Sequence, residues 1–145
     1  MPDEYISVEF TSHEQYLQIL KKLESETAYI AIVQINGEDE QEELLVKAFK
    51  YMELAEKRYV KKWPGTMRNG KGAPQYLFKA DKRFFKVLRE FPSFFFNSKD
   101  KWGCDEVVET SFGQDDIAFL DTHKKALFFT TTHEGYADII SSLAK

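Results

Sequence analysis

A nearly continuous run of apolar and β-branched residues at Ala28–Ile35 constrains this chain more than any other feature. A strand with one solvent-facing side alternates apolar and polar residues, so a run without alternation indicates a strand buried on both faces. Asn36-Gly37 follows directly, and this dipeptide is typical of a turn. A strand of this kind needs cover on both faces, and we therefore expect a sheet with helices packed against it.

The residues before this strand predict one strand and one helix. Tyr5–Phe10 alternates and is rich in β-forming residues, which predicts a short strand. Ser12 and Gln15 have the spacing of a capping box, in which each side chain satisfies a backbone N–H at the start of a helix. Apolar residues then recur at helical spacing, and the pattern predicts a helix over about 13–25.

The acidic run Glu38–Glu43 begins a long pattern with helical periodicity. Acidic residues in the first turn and Lys57, Arg58, Lys61 and Lys62 in the last turn suit the helix dipole. The pattern predicts a helix over about 40–62. It should end before Trp63-Pro64, because the residue before proline avoids the helical region.

Residues 63–74 are rich in glycine and proline and are predicted to form a loop. Tyr76-Leu77-Phe78 then predicts a brief extended segment. Asp81 is a suitable N-cap for a third helix with Phe84, Phe85, Leu88 and Phe91 on one face, and Pro92 ends it.

The last third of the chain predicts strands joined by polar loops. Ser93–Asn97 and Val107-Val108 are candidate short strands, whereas Ile117–Leu120 and Ala126–Thr132 form the clearest pair, joined by a five-residue hairpin loop. Apolar residues between Tyr136 and Leu143 predict a short terminal helix. The expected class is α/β, with α+β as the alternative: a mixed β-sheet with helices on its faces, in the order β-α-β-α-α-β-β-α.

The charge of the chain is unevenly distributed. The formal net charge is −4, yet residues 57–90 carry eleven Lys and Arg against two Asp and Glu, and both flanking regions are acidic. One interpretation is that a basic surface packs beside acidic ones in the same domain. The other is a surface that binds a partner, since such asymmetry bears on association rather than on fold.

A protein partner is the favoured function for this basic stretch, because interfaces are enriched in aromatic, Met and Arg residues within a polar rim. The predicted contact residues are Lys61, Lys62, Trp63, Met67, Arg68, Lys71 and Tyr76. The alternative is a polyanion or single-stranded nucleic acid bound through residues 57–90, with cations on phosphates and aromatic rings under bases. The Trp63 ring either fills the core beneath the loop or stands out as an anchor.

Catalytic and metal chemistry find little support in the sequence. His13, His123 and His133 do not lie at short ligand spacing from one another, and Cys104 is the only cysteine, so we predict no metal and no cofactor. Asp105 beside Cys104 opposes a thiolate. Gly65, Gly70 and Lys71 approach a phosphate-binding loop, but Gly72 stands where Ser or Thr is needed.

Length and composition predict one globular domain over residues 1–145. The N-terminus has neither the basic nor the apolar region of a signal peptide, and no run is long enough for a membrane span. The lone cysteine fits a reducing compartment. We therefore predict a cytoplasmic, non-catalytic, protein-binding domain of the inhibitor, immunity or adaptor type, a monomer or weak dimer.

Overall fold

A seven-stranded sheet organises residues 4–144, which are the residues that the computed structural model describes. The strands are β1 (Tyr5–Ser7), β2 (Tyr29–Val33), β3 (Glu53–Val60), β4 (Lys62–Trp63), β5 (Thr66–Met67), β6 (Ala73–Lys79), β7 (Phe95–Lys99), β8 (Asp105–Glu109), β9 (Asp116–Leu120), β10 (Ala126–Thr131) and β11 (Tyr136–Ile140). The helices are α1 (His13–Glu24), α2 (Glu43–Tyr51) and α3 (Lys82–Leu88). The large sheet has the order β1-β11-β10-β9-β2-β6-β3, while β4 pairs with β5 and β7 with β8.

The class is α+β, the alternative that the sequence left open. Every strand pairing over residues 4–144 is antiparallel, so the predicted mixed sheet and the order β-α-β-α-α-β-β-α are wrong. No helix in this range is long and apolar enough to cross a membrane. The signal-peptide prediction falls partly on residues 1–3, which lie outside the described residues.

The three helices pack on one face of the sheet rather than on both. Their buried residues join inward-facing strand residues such as Ile30, Phe119 and Phe128 in one apolar cluster. Phe94 packs in the same cluster, with its ring centroid 5.6 Å from that of Phe128. Burial of these rings is the main source of stability, because stabilisation scales with the apolar area removed from water.

The opposite face is built from small and medium apolar side chains. Ala31, Leu77, Ala118 and Leu120 form its buried cluster, and Phe129 packs against them. No described helix contributes to this cluster. The hairpin β4–β5 covers one end of this face, where Val33 and Ala73 pack against Trp63.

Two local predictions are confirmed in detail. Helix α1 begins after Ser12, whose Oγ accepts a hydrogen bond from the Gln15 backbone N–H at 3.2 Å, while Gln15 Oε1 accepts one from Ser12 N at 3.1 Å. Helix α3 begins after Asp81, whose carboxylate accepts from Arg83 N at 2.8 Å. Both caps depend on neighbouring residues alone, which is why the sequence predicts them.

The long helix predicted over 40–62 is wrong. Helix α2 ends at Tyr51, and Glu53–Val60 forms the edge strand β3, which pairs with β6 along its whole length. Glu, Leu, Ala, Lys and Arg favour helices locally. The hydrogen bonds and side-chain contacts with β6 outweigh this local preference, because the conformation of a strand depends strongly on its neighbours in the sheet.

The terminal helix predicted over 136–143 is also wrong. Tyr136–Ile140 is strand β11, between β10 and β1, and only Ser141–Leu143 forms a single 3₁₀ turn. Ala137 and Ile139 point to the core while Tyr136 and Asp138 are more exposed, which is the period of two of a strand. The segment is too short to separate this period from a helical one.

The remaining predicted strands are strands in the structure, but their first or last residues differ from the predicted ones. The buried strand is β2, and the late hairpin is β9–β10 around the polar loop 121–125. The predicted segment at 76–78 is the longer β6, and the predicted loop 63–74 contains most of the hairpin β4–β5. Strands β7 and β8 pair with each other as a separate ribbon.

Candidate functional site

Buried polar side chains gather at one end of the large sheet. Strand β2 ends here, β9 begins here and β10 ends here. The polar residues buried at this end are Gln34, Gln75, Asp115, Asp116, Thr130, Thr131 and Thr132. A buried polar group is far more informative than an exposed one, because burial is costly unless the group is hydrogen-bonded or used. We call this region the sheet end.

The hairpin β4–β5 is attached to the sheet end through Trp63. The indole is only 6% exposed, and its Nε1 donates a hydrogen bond to Asp116 Oδ2 at 2.9 Å. Gly65 forms the turn with φ +87°, and a Cβ built there would lie 2.9 Å from Thr131 Oγ1. The turn therefore needs glycine both for its backbone conformation and for its close approach to β10.

Asp116 is a structural carboxylate. Burial raises its pKa, while the hydrogen bonds from Trp63 and from the Thr132 backbone oppose that rise. Thr132 N donates to Oδ1 at 2.9 Å, so both carboxylate oxygens have a donor. With both oxygens engaged, Asp116 is poorly placed to accept a proton from a substrate.

A chain of threonine hydroxyl groups positions the start of β9. Thr132 Oγ1 donates to Asp115 O at 2.8 Å, and Ile117 N donates to Thr130 Oγ1 at 3.1 Å. Since the Thr132 proton is used on Asp115 O, Thr130 is the donor in the 2.8 Å contact between the two hydroxyls. These bonds hold the backbone that carries Asp115 and Asp116.

A polar cavity of about 360 Å³ opens beside this backbone. Its wall is formed by Gln34, Asn36, Gly37, Glu38, Asp39, Glu42, Gln114 and Asp115. Asp115 is only 5% exposed, and its Oδ2 has no hydrogen-bond partner among the described residues. Burial, together with the neighbouring Glu42 and Asp116 carboxylates, raises the pKa of Asp115 well above its ordinary value.

The predicted contact residues divide into an exposed and a buried group. Lys61, Lys62 and Lys71 are exposed, and the Met67 side chain is 74% exposed on β5. No ion pair joins these three lysines to another residue in the range 4–144. The exposed members of the predicted site therefore lie on or next to one hairpin.

Arg68 is held against the hairpin rather than extended into solvent. Its Nη2 donates to Ile35 O at 3.2 Å, and its guanidinium carbon lies 5.9 Å from the Trp63 ring centroid. Its backbone N donates to Lys61 O at 2.8 Å, which continues the pairing of β4 and β5. Arg68 thus links the hairpin to the end of β2.

Trp63 and Tyr76 do not present their rings at the surface. Trp63 fills the space between the hairpin and the sheet, and Tyr76 is fully buried under α2, where Phe49 packs edge-on at 5.8 Å between ring centroids. Of the two positions left open for Trp63, the structure shows the one beneath the loop.

Much of the basic stretch is neutralised within the fold. Lys57 Nζ lies 2.5 Å from Glu38 Oε2 and 3.1 Å from Glu40 Oε1, which joins the acidic loop after β2 to strand β3. Lys79, Arg83 and Arg89 likewise have acidic partners. This supports packing of basic beside acidic surfaces for these residues and leaves the hairpin lysines as a basic patch.

The other sequence candidates do not assemble into a site. No group of three or more His, Cys, Asp or Glu residues in the described part of the chain is placed to hold a metal ion. Cys104 is an exposed free cysteine in the loop of the β7–β8 ribbon. The segment Gly65–Lys71 leads into strand β6, so it lacks the helix N-terminus that a phosphate-binding loop requires.

The sequence reasoning missed Asp115, Asp116 and Glu42. Asp115 and Asp116 come directly before the apolar run that starts at Ile117. An acidic pair in this position is the signal that could have drawn attention to the start of the strand. Glu42 was assigned to an ordinary acidic first turn of a helix. Only the antiparallel pairing of β2 with β9 brings these carboxyl groups to the same end of the sheet.

No family model matches this chain, and neither a curated protein nor a solved structure matches it. The geometry of the hairpin β4–β5 and of the sheet end is therefore the basis for proposing a function.

Proposed function

We propose that this chain is a non-catalytic protein-binding domain that presents the hairpin β4–β5 to an acidic surface of its partner. The single observation that carries the proposal is the exposed Met67 on this hairpin, which is paired with the exposed Lys62 and lies within six residues of the exposed Lys61 and Lys71 in the sequence. A flexible apolar side chain within a charged rim is the composition of an interface centre.

The attachment of the hairpin supports the same proposal. Trp63 binds Asp116 at 2.9 Å, and Gly65 lies against Thr131, so the hairpin is held to the sheet at its base and at its turn. A surface that is already ordered loses less conformational entropy on binding. Trp63, Arg68 and Tyr76 contribute by supporting the hairpin and its underlying sheet.

The nucleic-acid alternative is less well supported. Binding to single strands relies on aromatic rings that stack with bases. The two rings predicted for that role, Trp63 and Tyr76, are buried, and Lys57 is paired with acidic residues. A basic hairpin without a stacking platform fits an acidic protein surface better. The proposal includes a monomeric or weakly dimeric cytoplasmic protein of the inhibitor, immunity or adaptor type.

Affinity capture from the source cell followed by titration of the purified partner tests this proposal. The variant Lys61→Glu/Lys62→Glu/Lys71→Glu reverses the hairpin charge. The control Lys21→Glu/Lys82→Glu/Lys86→Glu makes the same charge change on exposed helix positions. We expect the hairpin variant to weaken binding by at least about tenfold and the control to leave it unchanged.

Three results would contradict the proposal. Equal affinity of the two triple variants would remove the hairpin from the interface. Binding to single-stranded RNA or DNA that weakens steeply with salt, and is lost in the hairpin variant, would favour the polyanion alternative. A specific turnover of a small molecule that depends on the sheet end would show an enzyme instead.

A further inference from the structure

The cavity beside Asp115 has features that the proposed hairpin interface does not use. It lies where the loop after β2, the start of α2 and the start of β9 meet. A volume of about 360 Å³ falls within the range of small-ligand pockets. A pocket of this size is large enough for a single charged head group, and all of its lining side chains are polar or charged.

The amide groups of the wall are already engaged. Gln34 Nε2 donates to Asp39 O at 2.8 Å, and Gln34 Oε1 accepts from Asp39 N at 3.1 Å. Asn36 Nδ2 donates to Gln114 Oε1 at 2.5 Å. These bonds hold the wall in shape and occupy most of its amide groups. The carboxyl groups are therefore the main acceptors that remain available to a ligand.

No lysine or arginine among the described residues forms an ion pair with Asp115 or Glu42. Gln34 Nε2 is 3.3 Å from Glu42 Oε2. Oδ2 of the 5%-exposed Asp115 receives no hydrogen bond from an N–H or hydroxyl donor of residues 4–144, and the carboxyl group beside Asp115 is that of Glu42. Lys57 is paired with Glu38 and Glu40, and among the described residues no Lys or Arg lines the cavity. Burial, with the Glu42 carboxyl group beside it, raises the pKa of Asp115 to about 9, so Asp115 keeps its proton near neutral pH when no cation is bound.

We propose that this cavity binds an ammonium or guanidinium head group, with Asp115 and Glu42 as its counter-ions. Such a cation supplies N–H donors to carboxylate oxygens and takes the place of the Asp115 proton. Divalent metals prefer six or more oxygen ligands. The wall has four carboxyl groups, but Glu38 is paired with Lys57 and Asp39 Oδ1 accepts a hydrogen bond from Gln41 N. No three acidic residues of the described chain are placed to hold a metal ion. An organic cation needs fewer ligands.

The head group has two sources with the same chemistry, a lysine or arginine side chain of a protein and a free small amine. Titration with n-butylammonium and with ethylguanidinium, followed by nuclear magnetic resonance shifts of the backbone amides, tests the free form. A lysine-containing peptide, matched to one with norleucine in its place, tests the protein-borne form. Tetramethylammonium carries the same charge without N–H donors and serves as the ligand control.

We expect saturable one-to-one binding of the ammonium or guanidinium probe, with the shifts centred on residues 34–42 and 114–116. Asp115→Asn and Glu42→Gln should each weaken it by at least about tenfold, because each removes one charged acceptor. Glu106→Gln, an exposed acidic residue on β8 outside this cavity, is the control and should bind as the unaltered chain does. A thermal unfolding curve for each variant confirms that it is folded.

Cation binding should also release a proton. The groups that face Asp115 are Glu42 from α2, Asp116 from β9, and Glu38 and Asp39 from the intervening loop. Calorimetry in two buffers of different ionisation enthalpy measures the release near neutral pH, where Asp115 still holds its proton.

Several results would overturn this inference. They are equal binding of tetramethylammonium, unchanged affinity in both cavity variants, binding of Mg²⁺ or Ca²⁺ in preference to the organic probes, and no saturable binding of any probe. None of them bears on the hairpin interface, because the two surfaces are altered by different substitutions.

Discussion

Trp63 and Asp116, 53 positions apart in the sequence, meet in a hydrogen bond of 2.9 Å from the indole Nε1 to the carboxylate Oδ2. Both residues are almost fully buried, and the Thr132 backbone N–H occupies the second oxygen of Asp116. The bond attaches the hairpin β4–β5 to β9. It also gives the buried Asp116 carboxylate a hydrogen-bond donor. The hairpin and the sheet end therefore depend on each other.

The first prediction separates the ring of Trp63 from its N–H group. Trp63→Phe keeps an aromatic ring but leaves Asp116 Oδ2 without a donor, so the free energy of unfolding should fall by about 1.5–3 kcal/mol. Trp63→Ala also removes the packing and should cost about 3–5 kcal/mol. Lys71→Ala, on an exposed side chain, should stay within about 0.5 kcal/mol. Chemical denaturation measures all three, and equal small effects would show that the indole does not support the hairpin.

The second prediction uses two glycines as a matched pair. Gly65 and Gly70 both have φ near +85°, at +87° and +84°, but only a Cβ at Gly65 would meet β10, at 2.9 Å from Thr131 Oγ1. Alanine at Gly70 should cost about 1–2 kcal/mol from backbone conformation alone. Gly65→Ala should lower the free energy of unfolding further, because the new Cβ would also collide with Thr131. If the two variants unfold at the same denaturant concentration, the hairpin turn is not pressed against β10.

The third prediction concerns pH and Asp115. Its pKa is raised in the folded state, so the folded protein retains a proton that the unfolded chain releases. Stability from this group is present below the ordinary pKa of about 4 and is lost as pH rises toward the raised value. Asp115→Asn keeps the shape without the ionisation, and near pH 8 it should be more stable by about 1–3 kcal/mol than the unaltered chain.

Asp121 is the control for this prediction, because its pKa is lowered in the folded state whereas that of Asp115 is raised. The backbone N–H groups of Lys125 and His123 donate to its carboxylate at 2.9 and 2.8 Å and lower its pKa. Asp121→Asn should therefore destabilise at neutral pH and lose its effect as pH falls below the ordinary pKa. Denaturation curves from acidic to mildly alkaline pH measure both variants. A shared direction of change near neutral pH would contradict the assignment of Asp115 as a neutral buried acid.

The fourth prediction addresses Met67. Because the side chain is 74% exposed, Met67→Ser should change the free energy of unfolding by no more than about 0.5 kcal/mol. If Met67 is the centre of the interface, the same change should weaken partner binding by about 2 kcal/mol or more. Val46→Ser removes another exposed apolar side chain, on α2, and should leave binding unchanged. Equal loss of binding in both variants would place the interface elsewhere.

The sequence alone determined the elements whose signals are local. The capping box of Ser12 and Gln15, the Asp81 cap and the buried strand β2 each depend on adjacent residues and on one periodicity. The three lysines on or next to the hairpin, Lys61, Lys62 and Lys71, could also be selected from the sequence together with Met67, because composition indicates an exposed charged loop. Their function as contact residues stays a prediction.

Only the tertiary structure decided the rest, because the deciding contacts join distant parts of the chain. Glu53–Val60 is a strand since β6 offers it hydrogen bonds, although its residues favour a helix locally. Trp63 is buried because Asp116 and the end of the sheet receive it. Asp115 and Glu42 come to lie beside each other through the pairing of β2 with β9, a contact that no local pattern encodes. Burial then changes the chemistry of Asp115, since the energy of a carboxylate depends on its surroundings more than on its neighbours in sequence.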